Sequence, residues 1–286
     1  MGYDKDKDGN LIINEKQAKI VRRIYREFLD GKGANRIARD FENKGVLNWH
    51  GKAKWYESSI RKMLTNEKYK GDALLQKTYT VDFLSKKRAE NIGQVPQYYV
   101  EDSHPAIIDK EMWEAVQLEM ERRRKFALDY GIQKLEYATA DTPFAGRVIC
   151  GSCGQIFGRK VWNSTDERLR RYVWQCSSRY AVKGKIGCRN RHIDDRVLYQ
   201  AFINVFNMMV ENKDYFMEKW KDRLDSDNVL VRYKAKQFTG IITGADKMDE
   251  FDVDLYFELV EKITVYDGTR LIVSLLDGTE VECEIE

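Results

Sequence analysis

Cys150-Gly-Ser-Cys153 opens the stretch of sequence that decides the fold, and Cys176 and Cys188 close it. Two thiolates separated by two residues can bind one tetrahedral ion from a tight turn, which the glycines within and after the tetrapeptide permit. Residues 170–176 are typical of a strand that carries Cys176 to the same ion. We therefore predict a structural zinc site with four cysteine ligands, whose metal folds a segment too small to fold alone.

Other interpretations of these cysteines remain open at this point. His192 could replace one cysteine as a ligand, or Cys150 and Cys153 could form a redox pair, although the βαβ context of that motif is missing. Ordinary buried thiols are the third possibility. The remaining cysteine, Cys283, lies on the inward face of a predicted strand and is predicted to be core. An odd cysteine count argues against a disulfide framework.

The segment around the cysteines is strongly basic. Residues 142–193 contain 11 Lys or Arg against 2 Asp or Glu, whereas residues 194–286 contain 11 against 21. A basic surface on a metal-bound platform suits a phosphate backbone, although it could also be plain solvated surface. Trp162 and Trp174 are predicted to pack over the ribbon. The predicted DNA contacts of this segment are Arg147, Arg159, Lys160, Arg168, Arg170, Arg171, Arg179, Lys183, Lys185, Arg189 and Arg191.

The N-terminal part has the pattern of a helical domain. Apolar residues at three- and four-residue spacing predict helices at 14–29, 34–43 and 56–64, and a fourth at 109–126. Strands are predicted at 72–81 and 97–101, with a polar loop between them. This order is typical of a helix-turn-helix with a wing. The predicted DNA contacts are Ser58, Ser59, Arg61 and Lys62 on the third helix, and Lys86, Lys87 and Arg88 in the loop.

The C-terminal part combines helices with a small antiparallel sheet. We predict a long helix at 194–222 with Asp194 as its N-cap, a weakly patterned stretch at 223–250, and a helix near 252–262. Strands follow at 263–267, 270–276 and 280–285, joined by Asp-Gly turns. In the last strand Val281, Cys283 and Ile285 alternate with glutamates, so one face is predicted to be buried and the other acidic.

Length and charge bound the architecture. A chain of 286 residues suggests more than one domain, and we expect an α+β protein with a winged helical domain at 1–126, a linker at 127–142 and a zinc-ribbon domain at 143–286. It has no apolar run long enough to span a membrane, and its first residues lack the apolar core of a signal peptide. The expected compartment is the cytoplasm, with no membrane partner.

One calcium motif competes with this interpretation. Residues Asp4 to Glu15 match the twelve-residue EF-hand loop, including glycine at its sixth position and glutamate at its twelfth. Only three residues precede the loop, so the entering helix is missing, and there is no second loop to pair with it. The alternative is a polar turn before a helix that Asn14 caps.

Several segments together resemble a known family. The segments Tyr3 to Tyr25, Gly33 to Ala38, Ile60 to Gly71, Val95 to Val100 and His104 to Ile108 resemble the recombinase domain of large serine recombinases. Phe144 to His192 resembles the zinc ribbon of that family, and Val260 to Val265 fits its closing segment. The resemblance covers nearly the whole chain.

The resemblance implies a function in DNA integration. Members of the family bind double-stranded attachment sites, assemble with other recombinase subunits into a synaptic complex, and cut DNA with a serine in an N-terminal catalytic domain. No serine, histidine and carboxylate constellation is evident here, so we expect this chain to bind DNA without cleaving it. The family usually has a coiled coil, but 211–251 lacks sustained heptads. The alternatives are a zinc-ribbon transcriptional regulator and a calcium-binding interaction module.

Overall fold

The computed structural model describes residues 1–132, 139, 142–163, 165–267 and 270–284. The chain divides into two compact units, one formed by Met1–Phe28 with Ile37–Gln117 and the other by Leu29–Arg36 with Leu118–Glu286. Helices and small sheets are mixed in the chain, so the predicted α+β class is confirmed. Most of the predicted linker, at 133–138 and 140–141, lies outside the described residues.

The chain begins with a short hairpin and three helices. The hairpin pairs β1 (Tyr3–Lys5) with β2 (Leu11–Ile13), and the helices are α1 (Glu15–Leu29), α2 (Ala34–Asn43) and α3 (Glu57–Leu64). The residues predicted to face the core are all buried: Ala18, Val21, Ile24, Tyr25, Phe28, Ile37, Ala38, Phe41, Ile60, Met63 and Leu64. The apolar spacing therefore located these helices correctly, because their buried faces repeat at the helical period.

Four strands in two pairs follow α3, where the sequence pattern predicted two strands. β3 (Ala73–Leu75) pairs with β6 (Tyr98–Val100), and β4 (Thr78–Asp82) pairs with β5 (Lys87–Glu90), both antiparallel. The single strand predicted at 72–81 is wrong because Gln76 adopts a left-handed conformation with φ of 59°. That conformation ends one strand and lets the next leave in another direction. A long helix, α4 (Lys110–Asp129), comes next.

The second unit contains the cysteines in a small ribbon. Its strands are β7 (Val148–Cys150), β8 (Phe157–Trp162), β9 (Arg171–Cys176) and the very short β10 (Ile193–Asp194). β8 and β9 form an antiparallel hairpin, and β10 adds to the free edge of β9. The strand predicted to carry Cys176 is therefore confirmed.

Four helices follow the ribbon: α5 (Asp195–Glu211), α6 (Lys213–Leu224), α7 (Val229–Thr243) and α8 (Val253–Leu259). The single helix predicted at 194–222 is wrong, because Asn212 leaves helical geometry with φ of −109° and ψ of 39° and separates α5 from α6. Asp194 occupies the N-cap position of α5, but its side chain makes no capping hydrogen bond.

The weakly patterned stretch at 223–250 contains a helix that the sequence pattern did not reveal. Lys234 lies on the buried face of α7 together with Ala235, Phe238 and Ile242. A charged residue in the apolar stripe weakens the periodic signal, which explains the missed helix. Asn228 caps the helix through hydrogen bonds from the backbone N–H groups of the second and third helical residues.

A four-stranded sheet joins the ribbon to the end of the chain. β11 (Val260–Tyr266), β12 (Arg270–Leu275) and β13 (Glu280–Glu284) are antiparallel as predicted, and β7 adds to β11 in the parallel direction. The predicted antiparallel sheet is therefore mixed. The helix predicted at 252–262 is too long, because its last three residues begin β11. Gly268 and Ile285, which belonged to a predicted turn and strand, lie outside the described residues.

One apolar core runs through the second unit. Phe144 packs against Trp174 of the ribbon, Tyr199 of α5 and Tyr256 of α8, with ring centroids 5.0–6.1 Å apart. Val281 and Cys283 are half-buried against this core, and the glutamates that alternate with them in β13 are exposed. Cys283 is therefore a core side chain, as predicted. No helix in the described part of the chain is long and apolar enough to cross a membrane.

Candidate metal centre and nucleic-acid interface

The four predicted cysteines converge on one point. The sulfur atoms of Cys150, Cys153, Cys176 and Cys188 all lie within 4.8 Å of one another. Cys150 Sγ is 3.5 Å from Cys188 Sγ, and Cys153 Sγ is 3.4 Å from Cys176 Sγ. Four sulfurs at about 2.3 Å from a tetrahedral zinc ion stand about 3.8 Å apart. The donor set and its compactness therefore fit a metal such as zinc.

Local backbone geometry delivers each sulfur to this point. Cys150 ends β7, and the turn after it closes through a hydrogen bond from the Gly154 N–H to the Cys150 carbonyl at 2.8 Å. Gly154 has φ of +74°, which explains the glycine at this position. Cys176 ends β9, and Cys188 returns to it through a hydrogen bond from its N–H to the Ser178 carbonyl at 3.4 Å.

His192 is not a member of this cluster. Its ring packs on Trp162, with centroids 4.2 Å apart, and it does not belong to the cluster of four sulfur ligands found among the described residues. The interpretation in which His192 replaces a cysteine is therefore not supported. Trp162 is half-buried and Trp174 is buried in the core, so both have the packing role that the sequence predicted.

Asn190 supports the cluster, and sequence reasoning missed it. Its buried side chain donates hydrogen bonds from Nδ2 to Cys150 Sγ at 3.2 Å and to the Val265 carbonyl at 2.8 Å. Burial raises the pKa of the Cys150 thiol, but hydrogen bonds from Asn190 and from two backbone N–H groups lower it to about 7. Asn190 therefore connects the metal ligand Cys150 to Val265 of β11. No local sequence pattern reveals this connection, because Val265 is far from both residues in sequence.

Replacement of Asn190 is expected to weaken the metal site without removing it. Partners that hydrogen-bond to metal ligands typically contribute 10- to 100-fold in affinity, because they orient the ligand and stabilise its charged form. We therefore expect Asn190→Ala to lower the affinity for zinc by about 10- to 100-fold, measured by competition with a chromogenic chelator. Asn163→Ala, at an exposed asparagine beyond the end of β8, is the control. Equal zinc affinity in both variants would contradict this role for Asn190.

Most of the predicted basic residues of the ribbon are exposed. We define the ribbon basic surface as the eight that are exposed: Lys160, Arg168, Arg170, Arg171, Lys183, Lys185, Arg189 and Arg191. The first four lie on the β8–β9 hairpin and its connecting loop, and the other four lie near or between the last two cysteines. Arg168 pairs with Asp166 at 3.3 Å and Arg171 with Asp194 at 3.7 Å, and both arginine side chains are at least half exposed in these pairs. Such pairs contribute little to stability, so these cations can contact a ligand at low cost.

Three predicted DNA contacts are instead engaged inside the second unit. Arg147 stacks on Phe257 at 4.9 Å and donates a hydrogen bond to a backbone carbonyl, and burial lowers its pKa to about 10. Arg159 pairs with Asp195 at 2.6 Å, and Arg179 donates to the Asn190 carbonyl at 2.9 Å. We leave these three out of the ribbon basic surface because their charged ends already hold the fold.

The predicted contacts of the first unit are accessible. Ser58, Arg61 and Lys62 of α3 are exposed and Ser59 is half-buried. Arg61 pairs with Glu57 one helical turn earlier, at 2.8 Å. The loop predicted to carry Lys86, Lys87 and Arg88 is a hairpin: Lys86 is in the turn, with φ of 51°, and the other two lie on β5. All three are exposed.

The EF-hand-like segment forms a hairpin, not a calcium loop. The Asp6 carboxylate accepts hydrogen bonds from the backbone N–H of Asp8 at 2.9 Å and of Asn10 at 2.8 Å. Glu15, the predicted twelfth ligand, pairs with Arg22 at 3.0 Å. No group of metal-binding side chains is found there within the described residues. The geometry therefore gives the calcium interpretation no support, whereas Asn14 caps α1 by accepting from the Gln17 N–H at 3.1 Å.

Comparisons with known proteins give matches to both the helical segment and the metal centre. The family model named Recombinase matches residues 15–123, and the Recombinase zinc beta ribbon domain matches residues 143–207. A curated Bacillus subtilis (strain 168) protein, named "Putative DNA recombinase", is 26% identical over 262 residues. That match covers 86% of this chain and 50% of the relative, so the chain spans about half the length of that protein.

A solved structure described as a "Crystal Structure of a LSR-DNA Complex" shares the fold. Its TM-score is 0.50 at 18% sequence identity, over 97% of this chain and 92% of that one. The two domain matches fall on the helical segment and on the metal centre, in the order in which the chain presents them. The two matches confirm the resemblance to large serine recombinases: the chain contains a recombinase domain followed by a recombinase zinc ribbon.

Proposed function

We propose that this chain binds duplex DNA at a recombination site, as the DNA-contacting part of a large serine recombinase. The observation that carries the proposal is the ribbon basic surface, which extends from a cluster of four sulfurs. We propose that zinc occupies this cluster, because a site with four cysteine ligands and no open position is typical of structural zinc. Both matching family models describe recombinases, which favours this function over a zinc-ribbon transcriptional regulator.

The ribbon has dimensions that suit a DNA groove. Cys176 lies at the root of the β8–β9 hairpin, and Arg171 lies five residues away towards its tip. At about 3.3 Å per residue, the hairpin extends about 16 Å from the metal centre. The major groove is wide enough for a two-stranded ribbon of this kind. Metal binding at the root would therefore hold the tip, with Arg168 and Arg170, in a defined place against the duplex.

The first unit provides a second DNA contact. The exposed side chains of α3 can meet base edges, whereas the cations of the β4–β5 hairpin suit phosphates. In the complete recombinase, strand exchange would require the catalytic serine of another domain and further subunits in a synaptic complex. As part of a DNA recombinase, the protein would act in the bacterial cytoplasm.

Salt dependence of binding tests the proposal directly. A duplex selected by the zinc-loaded chain from a random library serves as the probe, and binding is followed by fluorescence anisotropy from 50 to 200 mM salt. The plot of log K against log salt has a negative slope, and each lost phosphate contact makes that slope less steep by about 0.9. We therefore expect the double variant Arg170→Ala/Lys185→Ala to have a slope that is less steep by about two units.

A matched charge deletion outside the ribbon separates specific contact from net charge. Lys221 of α6 and Lys236 of α7 are exposed, and Lys221→Ala/Lys236→Ala removes the same two positive charges. We expect this control to leave the slope nearly unchanged. Equal slopes for the parent chain and the double variant would show that the ribbon basic surface does not contact DNA, and failure to select any duplex would refute the proposed function.

A further inference from the structure

The β4–β5 hairpin of the first unit ends in two large apolar side chains that face water. Phe83 is 87% exposed and Leu84 is 91% exposed. The turn that carries them is ordered, because the Asp82 carboxylate accepts hydrogen bonds from the backbone N–H of Leu84 at 3.1 Å and of Ser85 at 3.0 Å. Adjacent apolar side chains that a hydrogen-bonded turn holds in water are typical of an interaction site.

The root of this hairpin is held by buried polar contacts. Asn91 is 4% exposed, and its Nδ2 donates to the Gln76 carbonyl at 2.9 Å and to the Val95 carbonyl at 2.8 Å. Glu67 is also buried and accepts from Lys77 Nζ at 2.6 Å. An isolated two-stranded hairpin is only marginally stable in water. These contacts therefore fix where the tip lies relative to the body of the first unit.

The charge next to the tip indicates the chemistry of its partner. Lys86, Lys87 and Arg88 are consecutive and exposed, and they directly follow the apolar pair in sequence. Asp82 is the one acidic residue between Thr78 and Arg88, and its carboxylate is occupied by the amides of the turn. The tip therefore combines an apolar point with adjacent cations, which suits a stacked, anionic polymer.

A protein partner fits this tip less well. Two side chains present only a few hundred Å² of apolar surface, whereas a stable protein interface buries about 1,200–2,000 Å². Lysine is also depleted at the centre of protein interfaces. A single step between base pairs is, by contrast, of a size that one or two apolar side chains can occupy.

We propose that Phe83 and Leu84 form a wedge that inserts between adjacent base pairs of duplex DNA, while Lys86, Lys87 and Arg88 bind the phosphates beside that step. The inference rests on the proposed DNA binding and adds a distortion of the DNA to it. Apolar wedges of this kind unstack a step and kink the duplex by roughly 20–90°. Pyrimidine–purine steps deform most easily, so the wedge is expected to select them without hydrogen bonds to bases.

Base stacking and DNA bending are the readouts. The zinc-loaded chain is mixed with its selected duplex, in which 2-aminopurine replaces one adenine at a time. Insertion of the wedge is expected to raise the 2-aminopurine fluorescence several-fold at one step and to shorten the end-to-end distance measured by energy transfer. The double variant Phe83→Ala/Leu84→Ala is expected to lose both signals and to keep the salt slope of the parent chain, because the cations remain.

A second double variant controls for the loss of exposed apolar surface. Val182 and Ile186, in the loop between the last two cysteines, are 59% and 63% exposed. Val182→Ala/Ile186→Ala is expected to keep the fluorescence and the bend. If the parent chain binds DNA with a normal salt slope but unstacks no step, the wedge is refuted and DNA binding stands. If Phe83→Ala/Leu84→Ala instead abolishes self-association in sedimentation and leaves the DNA signals intact, the tip is a protein contact and the wedge is refuted.

Discussion

Removal of the metal is expected to unfold the ribbon of the second unit. Cys150 and Cys176 are buried within the same core as Trp174, so the cluster and the packing depend on each other. Structural zinc contributes about 10–16 kcal/mol to the folding of isolated zinc-finger peptides, which is comparable to the whole stability of a typical domain. A strong chelator, or Cys176→Ser, should therefore remove the contribution of Trp174 to the near-ultraviolet circular dichroism and abolish the cooperative thermal transition of the ribbon.

Acid should have the same effect as the chelator, because protons compete with the metal for the thiolates. Metal content measured by atomic emission is expected to be close to one zinc per chain at neutral pH and to fall as the pH is lowered. The control is Cys283→Ser, since Cys283 lies on β13 outside the sulfur cluster. A metal-free chain that retains its full tryptophan signal and thermal transition would contradict the structural role of the site.

Replacement of Glu119 is expected to have the second-largest effect. Glu119 of α4 is fully buried and pairs with Arg122 at 2.8 Å and with Arg123 at 2.6 Å. Arg123 also donates to the Lys32 carbonyl at 3.0 Å, within the same unit. Loss of one partner from a buried ionic group leaves uncompensated charge and typically costs 3–5 kcal/mol. We therefore expect Glu119→Ala to lower the free energy of unfolding of the second unit by about 3–5 kcal/mol, measured by urea denaturation.

The same carboxylate predicts a pH dependence of stability. Burial alone raises the pKa of Glu119, but the guanidinium groups of Arg123 and Arg122 outweigh it and hold the pKa well below its usual range. A carboxyl group with a depressed folded-state pKa contributes stability above its unfolded pKa of about 4.3, and this contribution is lost as the pH falls towards the folded value. The difference in stability between the parent chain and Glu119→Ala should therefore shrink below about pH 4.

Glu121 is the matched control for this prediction. It lies two residues further along α4, is exposed, and pairs with Arg124 at 2.8 Å. An exposed pair is screened by water, so Glu121→Ala is expected to leave the urea midpoint nearly unchanged. Equal midpoints for the two alanine variants would contradict the assignment of Glu119 as the centre of a buried charge cluster.

Features that depend on neighbouring residues could be predicted from the sequence. The buried faces of α1, α2 and α3 follow from apolar spacing, because a helix places residues three and four apart on one side whatever surrounds it. The metal centre follows from the Cys150-Gly-Ser-Cys153 spacing and the strand before Cys176, because that turn and strand are local structures. The family resemblance is confirmed by matches to the same segments.

Features that depend on distant partners could not be predicted. Arg147 has the charge of a DNA contact, but its hydrogen-bond partner Val260 is 113 residues away, and that contact holds the half-buried side chain against the fold. Lys234 interrupts the apolar pattern of α7, and the group that makes its burial possible, the Leu29 carbonyl, is 205 residues away. The parallel pairing of β7 with β11 likewise brings Asn190 and Val265 to Cys150. A sequence pattern reports the residue and its neighbours, whereas burial and charge compensation depend on groups that only folding brings together.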